Sequence, residues 1–461
     1  MKKVLIQKQL LKELEVAISE HPNLKVDVAV FFLSLFNSIP TFYREEEQVD
    51  EISLDSQRLK KYHSKYNLYL DFLKNSEFIE KTGSYGADIK KCNVFILSEQ
   101  YSFDELISYE IKDKPLLKKF DDKGRDEKEN EKRMFCERKR PHLVKFFDDK
   151  LTIKEREAKD EIKHLIIHED DKRKYSTKKV MITEFHDQQW KYSMKPTSDN
   201  RLHSNLTRSP KVLRKHIRYD GKHIYGVDLK TSQPFFLCVL IKAILKKDKG
   251  LLDQIKATHI LTDETIEKLF NLELNRDDLI EFVQSVLEKD FYNEFEKKLN
   301  IDYDDSGIPY RMVSNYLSKD KNRRKRKYEE NKEPTRKESF ETTRELVKAV
   351  VMEIFYSKPK TTIKEAKVFR EAYPGVFKIF KCLDECKVKF SYLLQYVEAY
   401  VLLDYTAKRI HEDYPEMPLF SIHDALVTNE TWKNILKQEM LKHIKAITTI
   451  NPNLEIEYWK D

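Results

Sequence analysis

Glycine is scarce in this sequence, with 8 in 461 residues. No GxGxxG stretch and no Walker-type GxxxxGK stretch occurs, which excludes the glycine-rich cradles that bring backbone N–H groups close to phosphate. Cysteine is also sparse: Cys92, Cys136, Cys238, Cys382 and Cys386, an odd count with no CxxC pair. That pattern argues against a disulfide framework and for reduced thiols in a cytoplasmic compartment. Cys382 and Cys386 stand four apart on a predicted helix, without a second Cys/His pair nearby to complete a structural zinc site. Long apolar runs are missing as well. The longest, VDVAVFFLSLF (Val26–Phe36), is too short to span a bilayer and lacks signal-peptide flanks, so it is expected to form a buried helix, with no membrane partner.

Charge and aromatic residues are plentiful. Charged residues make up 36% of the chain and aromatic residues 11%, the mark of a well-charged protein with a core. Lys and Arg number 86 against 79 Asp and Glu, a net +7 that tilts mildly toward polyanionic partners. The length allows about two to four domains.

Along the chain, residues 1–20 have the spacing of an amphipathic helix. Asp121–Arg133 is a charge run, read as a solvated loop or exposed helix, and KEREAKDEIKHLIIHEDDKRK reads as one long charged helix. MKPTSDNR marks a linker or turn near residue 195. Beyond it HIYGVDL (His223–Leu229) alternates like a strand, and helices are expected from Thr342 to Tyr356 and from Leu393 to His411. NLEIEYW (Asn453–Trp459) closes the chain as a short strand.

Three elements could carry chemistry. Asp228 ends an apolar strand in YGVDLKTSQPFF, a position that also suits the cap of a following helix. Asp424 lies in LFSIHDALVT, between two apolar runs that read as a hairpin; a carboxylate there must be hydrogen-bonded, paired or metal-bound. Between them, Arg344, Lys348, Met352 and Tyr356 recur every four residues and line one slowly rotating helix face, either an ordinary surface or a face for a triphosphate, a sugar and a base.

Taken in order, these elements resemble the single-subunit polymerases, the A-family DNA polymerases and the related phage-type RNA polymerases. The strand-borne Asp228 is similar to their motif A, Arg344/Lys348/Tyr356 to the R-x3-K-x7-Y helix of motif B, and His423-Asp424 to motif C. The likeness spans about residues 200–461, and VVMEIFYSK looks closest to the phage-type helix. It implies an α+β fold: a palm-like antiparallel sheet with helical fingers, about 240–390, within a catalytic region 196–461. Residues 1–195 would form a mainly helical, thumb-like or accessory region.

The resemblance also implies two Mg²⁺ ions, replaceable by Mn²⁺, held by Asp228 and Asp424. Arg344 and Lys348 would meet the triphosphate of a dNTP or rNTP, with Met352, Tyr356 and Gln233 around the nucleotide. RLHSNLT supplies Arg201 and His203 on the primer–template side, and Gln395 and His423 would join them. Two basic clusters are further candidates for phosphate contact: Lys211, Arg214, Lys215 and Arg218, and the run KNRRKRK with Arg323 and Arg324.

The chain departs from the family at Ser357, where glycine is usual, and at Ala425, where Glu or Ser is usual. Gln233 stands where DNA enzymes carry Glu and RNA enzymes Gly, so deoxynucleotides are slightly favoured. The implied function is template-directed polymerisation, with a priming or accessory protein as a possible partner. Other readings are an RNA polymerase, a template-independent nucleotidyltransferase, or a degenerate nucleic-acid-binding protein.

Overall fold

The structure is a computed structural model that describes residues 2–39, 51–83, 92–101, 104–121, 125–164, 171–256, 260–314, 335–359, 361 and 363–459. Its first element is a strand, β1 (Lys2–Gln7), and only then α1 (Lys8–Ser19). The single helix expected over residues 1–20 therefore starts late. Long-range pairing of the Val4-Leu5-Ile6 segment overrides its helical spacing. Helix α2 (Val26–Ser38) is buried along most of its length, as its unbroken apolar run requires. Strands β2 (Ile52–Leu54), β3 (Ile79–Gly83) and β4 (Asn93–Leu97) form a small antiparallel sheet, and β5 (Leu106–Ile111) pairs with β1. The N-terminal region thus carries short strands among its helices. Its own apolar core runs from Ile6 to Phe120.

The larger core begins at Cys136 and continues to Trp459. Part of the charge run enters α3 (Arg125–Lys139). Strand β6 (Leu151–Ile153) follows, and the stretch expected as one charged helix holds α4 (Glu155–His164) and the start of α5 (Asp171–His186), with residues 165–170 outside the described residues. The MKPTSDNR segment is the turn of a hairpin between β7 (Tyr192–Met194) and β8 (Leu202–Ser204), so the cores part well before residue 195.

The main sheet is antiparallel. Strand β9 (Ile217–Tyr219) turns through Asp220-Gly221 into β10 (Lys222–Leu229), with φ of 51° and 71° at the two turn residues, the left-handed pair that a tight hairpin needs. Helix α6 (Ser232–Lys246) is sunk in the core, and Pro234 sits in its first turn, where no intrahelical N–H is lost. Helix α7 (Phe291–Glu296), strands β11 (Asp302–Tyr303), β12 (Pro309–Ser314) and β13 (Thr335–Ser339), and helix α8 (Thr343–Tyr356) come next. The run carrying Arg323 and Arg324 lies outside the described residues. Helix α9 (Phe390–Ala399) continues through a π-helical segment, Tyr400–Thr406, into α10 (Ala407–Asp413). Strands β14 (Phe420–Ile422) and β15 (Ala425–Asn429) form the expected hairpin; α11 (Lys433–Thr448) and β16 (Leu454–Tyr458) complete the chain. The sheet order is β14-β15-β10-β9-β6, with β16 on the other side of β10 from β15. The fold is α+β with antiparallel sheets, as expected.

One buried ion pair bolts the early part of this core to the late part. Arg140 is 0% exposed; its Nε and Nη2 donate to both carboxylate oxygens of Asp404, at 2.8 and 3.0 Å, and Nη1 donates to the Asn200 carbonyl at 2.8 Å. Removing one partner strands the other charge. Arg140→Ala is expected to cost about 3–5 kcal/mol of unfolding free energy, measured by urea denaturation; a loss below about 1 kcal/mol would show that the pair holds little together.

Candidate active site

Strand pairing brings the two sequence-predicted carboxylates together. β10 and β15 run antiparallel with Asp228 opposite Ala425, the residue next to Asp424. Asp424 itself occupies the two-residue turn between Ile422 and Ala425. Both acids end at backbone that is costly to form. His423, beside Asp424, has φ +54°, and Thr231, which starts α6 three residues after Asp228, has φ +57°. A β-branched residue in the left-handed region costs on the order of 1–2 kcal/mol, and such strain gathers at functional sites. Thr231 also occupies the N-cap position of α6, so capping does not explain Asp228.

Neither Asp228 nor Asp424 has a hydrogen bond or ion pair among the described residues, although both are half-buried. Burial, and next the Asp424 charge, push the Asp228 carboxyl up to about 6; Glu457 on β16 pushes the same way, and Lys348 opposes. Two converging carboxylates without protein partners offer the oxygen donors that Mg²⁺ prefers, so the residues present fit the implied metal. Glu457 brings a further carboxylate near them from the neighbouring strand. Its Oε2 lies 3.6 Å from where a Cβ on Gly226 would stand, and Trp459 would meet the same Cβ at 3.2 Å, so only glycine fits at 226 without a shift.

Helix α8 presents the expected face. Leu346, Val347, Val350, Val351, Ile354 and Phe355 are buried, while Arg344 and Lys348 are exposed, Met352 is half-buried and Tyr356 is 45% exposed. Thr342 caps the helix by accepting from the Glu345 N–H. Lys348 has no hydrogen bond or ion pair among the described residues and lies within electrostatic reach of Asp228. Arg344 is engaged: it donates to Asp290 Oδ2 at 2.5 Å and Asn293 Oδ1 at 3.1 Å and stacks over Tyr292. Burial, then the Asp424 charge, push the Tyr292 hydroxyl up to about 12, which places α7 beside the same site. The helix needs no glycine at its end, because Ser357 leaves it in extended backbone at φ −87°.

A residue not anticipated from the sequence, Glu398, joins the remaining candidates. It lies on α9, 1% exposed. Arg201 donates to its Oε1 from Nε at 2.7 Å and Nη2 at 2.5 Å; Ser232 and Gln233 donate to Oε2 at 3.0 and 2.6 Å. Burial pushes the Glu398 carboxyl well above the ordinary carboxylate range, and the Arg201 charge opposes that. Gln233 therefore points its amide nitrogen at Glu398, and its Oε1 is buried without a partner among the described residues. One turn earlier on α9, Gln395 donates to the Tyr356 hydroxyl at 2.5 Å. Arg201 in turn lies within electrostatic reach of Asp424 and Tyr356.

The basic cluster before β10 is mostly spent inside the fold. Arg214 is buried over the Trp459 ring and donates to the Ser209 carbonyl; Arg218 is buried and donates to the Lys215 and Ile217 carbonyls. Guanidinium groups so placed do not reach a phosphate backbone, and the expectation for these two is corrected. Lys215 pairs with Glu161 at 3.0 Å, and Lys211 is exposed. His203 pairs with Asp199 at 2.9 Å.

No protein-family model matches the chain, and no curated protein matches its sequence. None of the helices among the described residues is long and apolar enough to cross a membrane.

Because Asp228 holds its proton to a higher pH in the fold than the ordinary carboxylate range allows, its charge destabilises the metal-free protein above about pH 6. That penalty shrinks as pH falls from about 6 toward the ordinary aspartate value of 3.8, and is gone once the carboxyl is protonated in both states. Asp228→Asn is expected to stabilise the chelator-treated protein at pH 7.5 by roughly 1–3 kcal/mol, with the difference closing on acidification. Thermal denaturation across pH checks it; a destabilised variant would mean that Asp228 has a protein partner.

Proposed function

We propose that the chain is a template-directed nucleic-acid polymerase that extends a 3′-hydroxyl, with residues 196–461 as a catalytic palm and fingers and DNA synthesis slightly favoured. One observation carries the reading: Asp228 and Asp424, far apart in sequence, come together at a strand end and a hairpin turn, without side-chain hydrogen bonds or ion pairs among the described residues, and with Lys348 within electrostatic reach of Asp228. The order of elements supports it as well, since a strand acid, a basic helix face and a hairpin acid converge on one place.

In this reading Asp228 and Asp424 would hold the divalent ions. Magnesium, when bound, supplies charge stabilisation to the attacking and leaving oxygens. Lys348, exposed and unpaired among the described residues, meets the triphosphate and offsets the charge that grows on the leaving pyrophosphate. Arg344 adds to this once a phosphate displaces its contact with Asp290, an exposed ion pair of small worth. Tyr356, steadied by Gln395, packs against the sugar and the nascent base pair. Gln233, fixed by Glu398, fills the space beside the sugar and disfavours a 2′-hydroxyl by bulk.

Primer extension with a primed template, Mg²⁺ and either dNTPs or rNTPs tests the proposal. Asp424→Asn is expected to reduce templated extension at least about a hundredfold, and Lys348→Ala by a similar factor. Untemplated tailing would identify a nucleotidyltransferase instead, and binding without extension a degenerate relative. Gln233→Gly is expected to raise rNTP use relative to dNTP use; an unchanged ratio would remove Gln233 from sugar selection.

A further inference from the structure

A second group of metal-ligating side chains gathers where α10 meets α11. Asp413 is the last residue of α10, and Glu439 and His443 stand one turn apart on α11. One ligand atom from each lies within 4.8 Å of the other two. His443 Nε2 is 3.2 Å from Glu439 Oε2 and 3.6 Å from Asp413 Oδ2. Donors bound at about 2.0–2.1 Å around a tetrahedral Zn²⁺ stand about 3.3 Å apart, so these spacings need little adjustment.

Carboxylates in proximity are common and mean little alone. The imidazole is the separate observation. His443 is 8% exposed, and its Nε2 is sealed from solvent with no hydrogen-bond partner among the described residues. A buried ring nitrogen ordinarily finds a partner. This one lies 3.2 Å from the Glu439 carboxylate and 3.6 Å from that of Asp413 and makes a hydrogen bond to neither, so its lone pair is open to a cation shared with the two acids. Lys442 holds the balancing positive charge: its Nζ lies 2.6 Å from Glu439 Oε2 and 3.6 Å from Asp413 Oδ2. That side chain is exposed and long, free to swing into solvent when an ion of twice its charge arrives.

We propose that Asp413, Glu439 and His443 form a second divalent-cation site for a borderline transition metal, with Zn²⁺ as its preferred occupant. An imidazole in the ligand set selects for Zn²⁺, Ni²⁺ or Cu²⁺ over Mg²⁺, which separates this site chemically from Asp228 and Asp424. Two carboxylates and one imidazole neutralise the ion and leave one position for water. Binding there staples the end of α10 to α11, the helix that packs on β10, β15 and β16.

The full chain, stripped with a chelator, is titrated with Zn²⁺ by calorimetry and melted with and without Zn²⁺. Wild type and Asp424→Asn are each expected to bind one Zn²⁺ with a rise in Tm. Asp413→Asn and His443→Gln are expected to weaken that binding at least about tenfold and to lose the rise. Asp413 is half-exposed at a helix end, so its substitution leaves the core intact and the comparison meaningful. Co²⁺ serves as the optical probe, with an expected spectrum free of thiolate charge transfer that disappears in Asp413→Asn. Equal Zn²⁺ uptake by wild type and both site variants, no stoichiometric uptake by wild type, or a thiolate band would each overturn the site.

Discussion

The arrangement depends on a repulsion held in place. Two carboxylates sit close together, partly out of water, and the charge of Asp424 makes that of Asp228 more costly. Left alone, a chain would relieve this by turning one side chain away. The register of β10 against β15, and the two-residue turn that holds Asp424, keep the backbones of the two acids adjacent all the same. The left-handed residues Thr231 and His423 show that the backbone on both sides is bent to keep these acids where they are. Sheet pairing and core burial elsewhere supply the stability that offsets such local cost.

Glu398 organises the next layer. A fully buried carboxylate is tolerable because Arg201, Ser232 and Gln233 all donate to it. One acid thereby fixes a residue from the segment before β9, two from the start of α6 and, through its own helix, the Gln395–Tyr356 contact to α8. Arg201, Gln233 and, through α9, Tyr356 are thus tied to one carboxylate.

The elements that bear the candidate acids were legible because local pattern and final structure agree there. HIYGVDL alternates and forms a strand; LFSIHDALVT is two apolar runs around a polar pair and forms a hairpin; the four-residue spacing of Arg344, Lys348, Met352 and Tyr356 does line the open face of α8. Glu398 escaped notice because SYLLQYVEAYVLLDY reads as a core helix, and only the fold supplies its partners. The two acids in so apolar a run, Glu398 and Asp404, were nevertheless a sign that something must balance them. Arg214 and Arg218 were misjudged because a cluster of charges does not tell which side chains point inward. Residues 1–20 were misjudged because their helical spacing holds no record of β5, with which the first six described residues pair.

The π-helical segment at Tyr400–Thr406 has a consequence for tolerance to change. It accommodates extra backbone inside a continuous helix, and each residue of an α-helix advances the phase by about 100°. Gln395 and Glu398 precede the segment, and Ala407 and Ile410, buried in the larger core, follow it. With Arg140 clamping Asp404 within the segment, the two halves are phased independently on either side of a pinned joint. Excising a single residue there would leave the helix long enough and apolar enough, yet rotate its leading half by a quarter turn or more relative to the trailing half, and Glu398 would lose sight of Gln233.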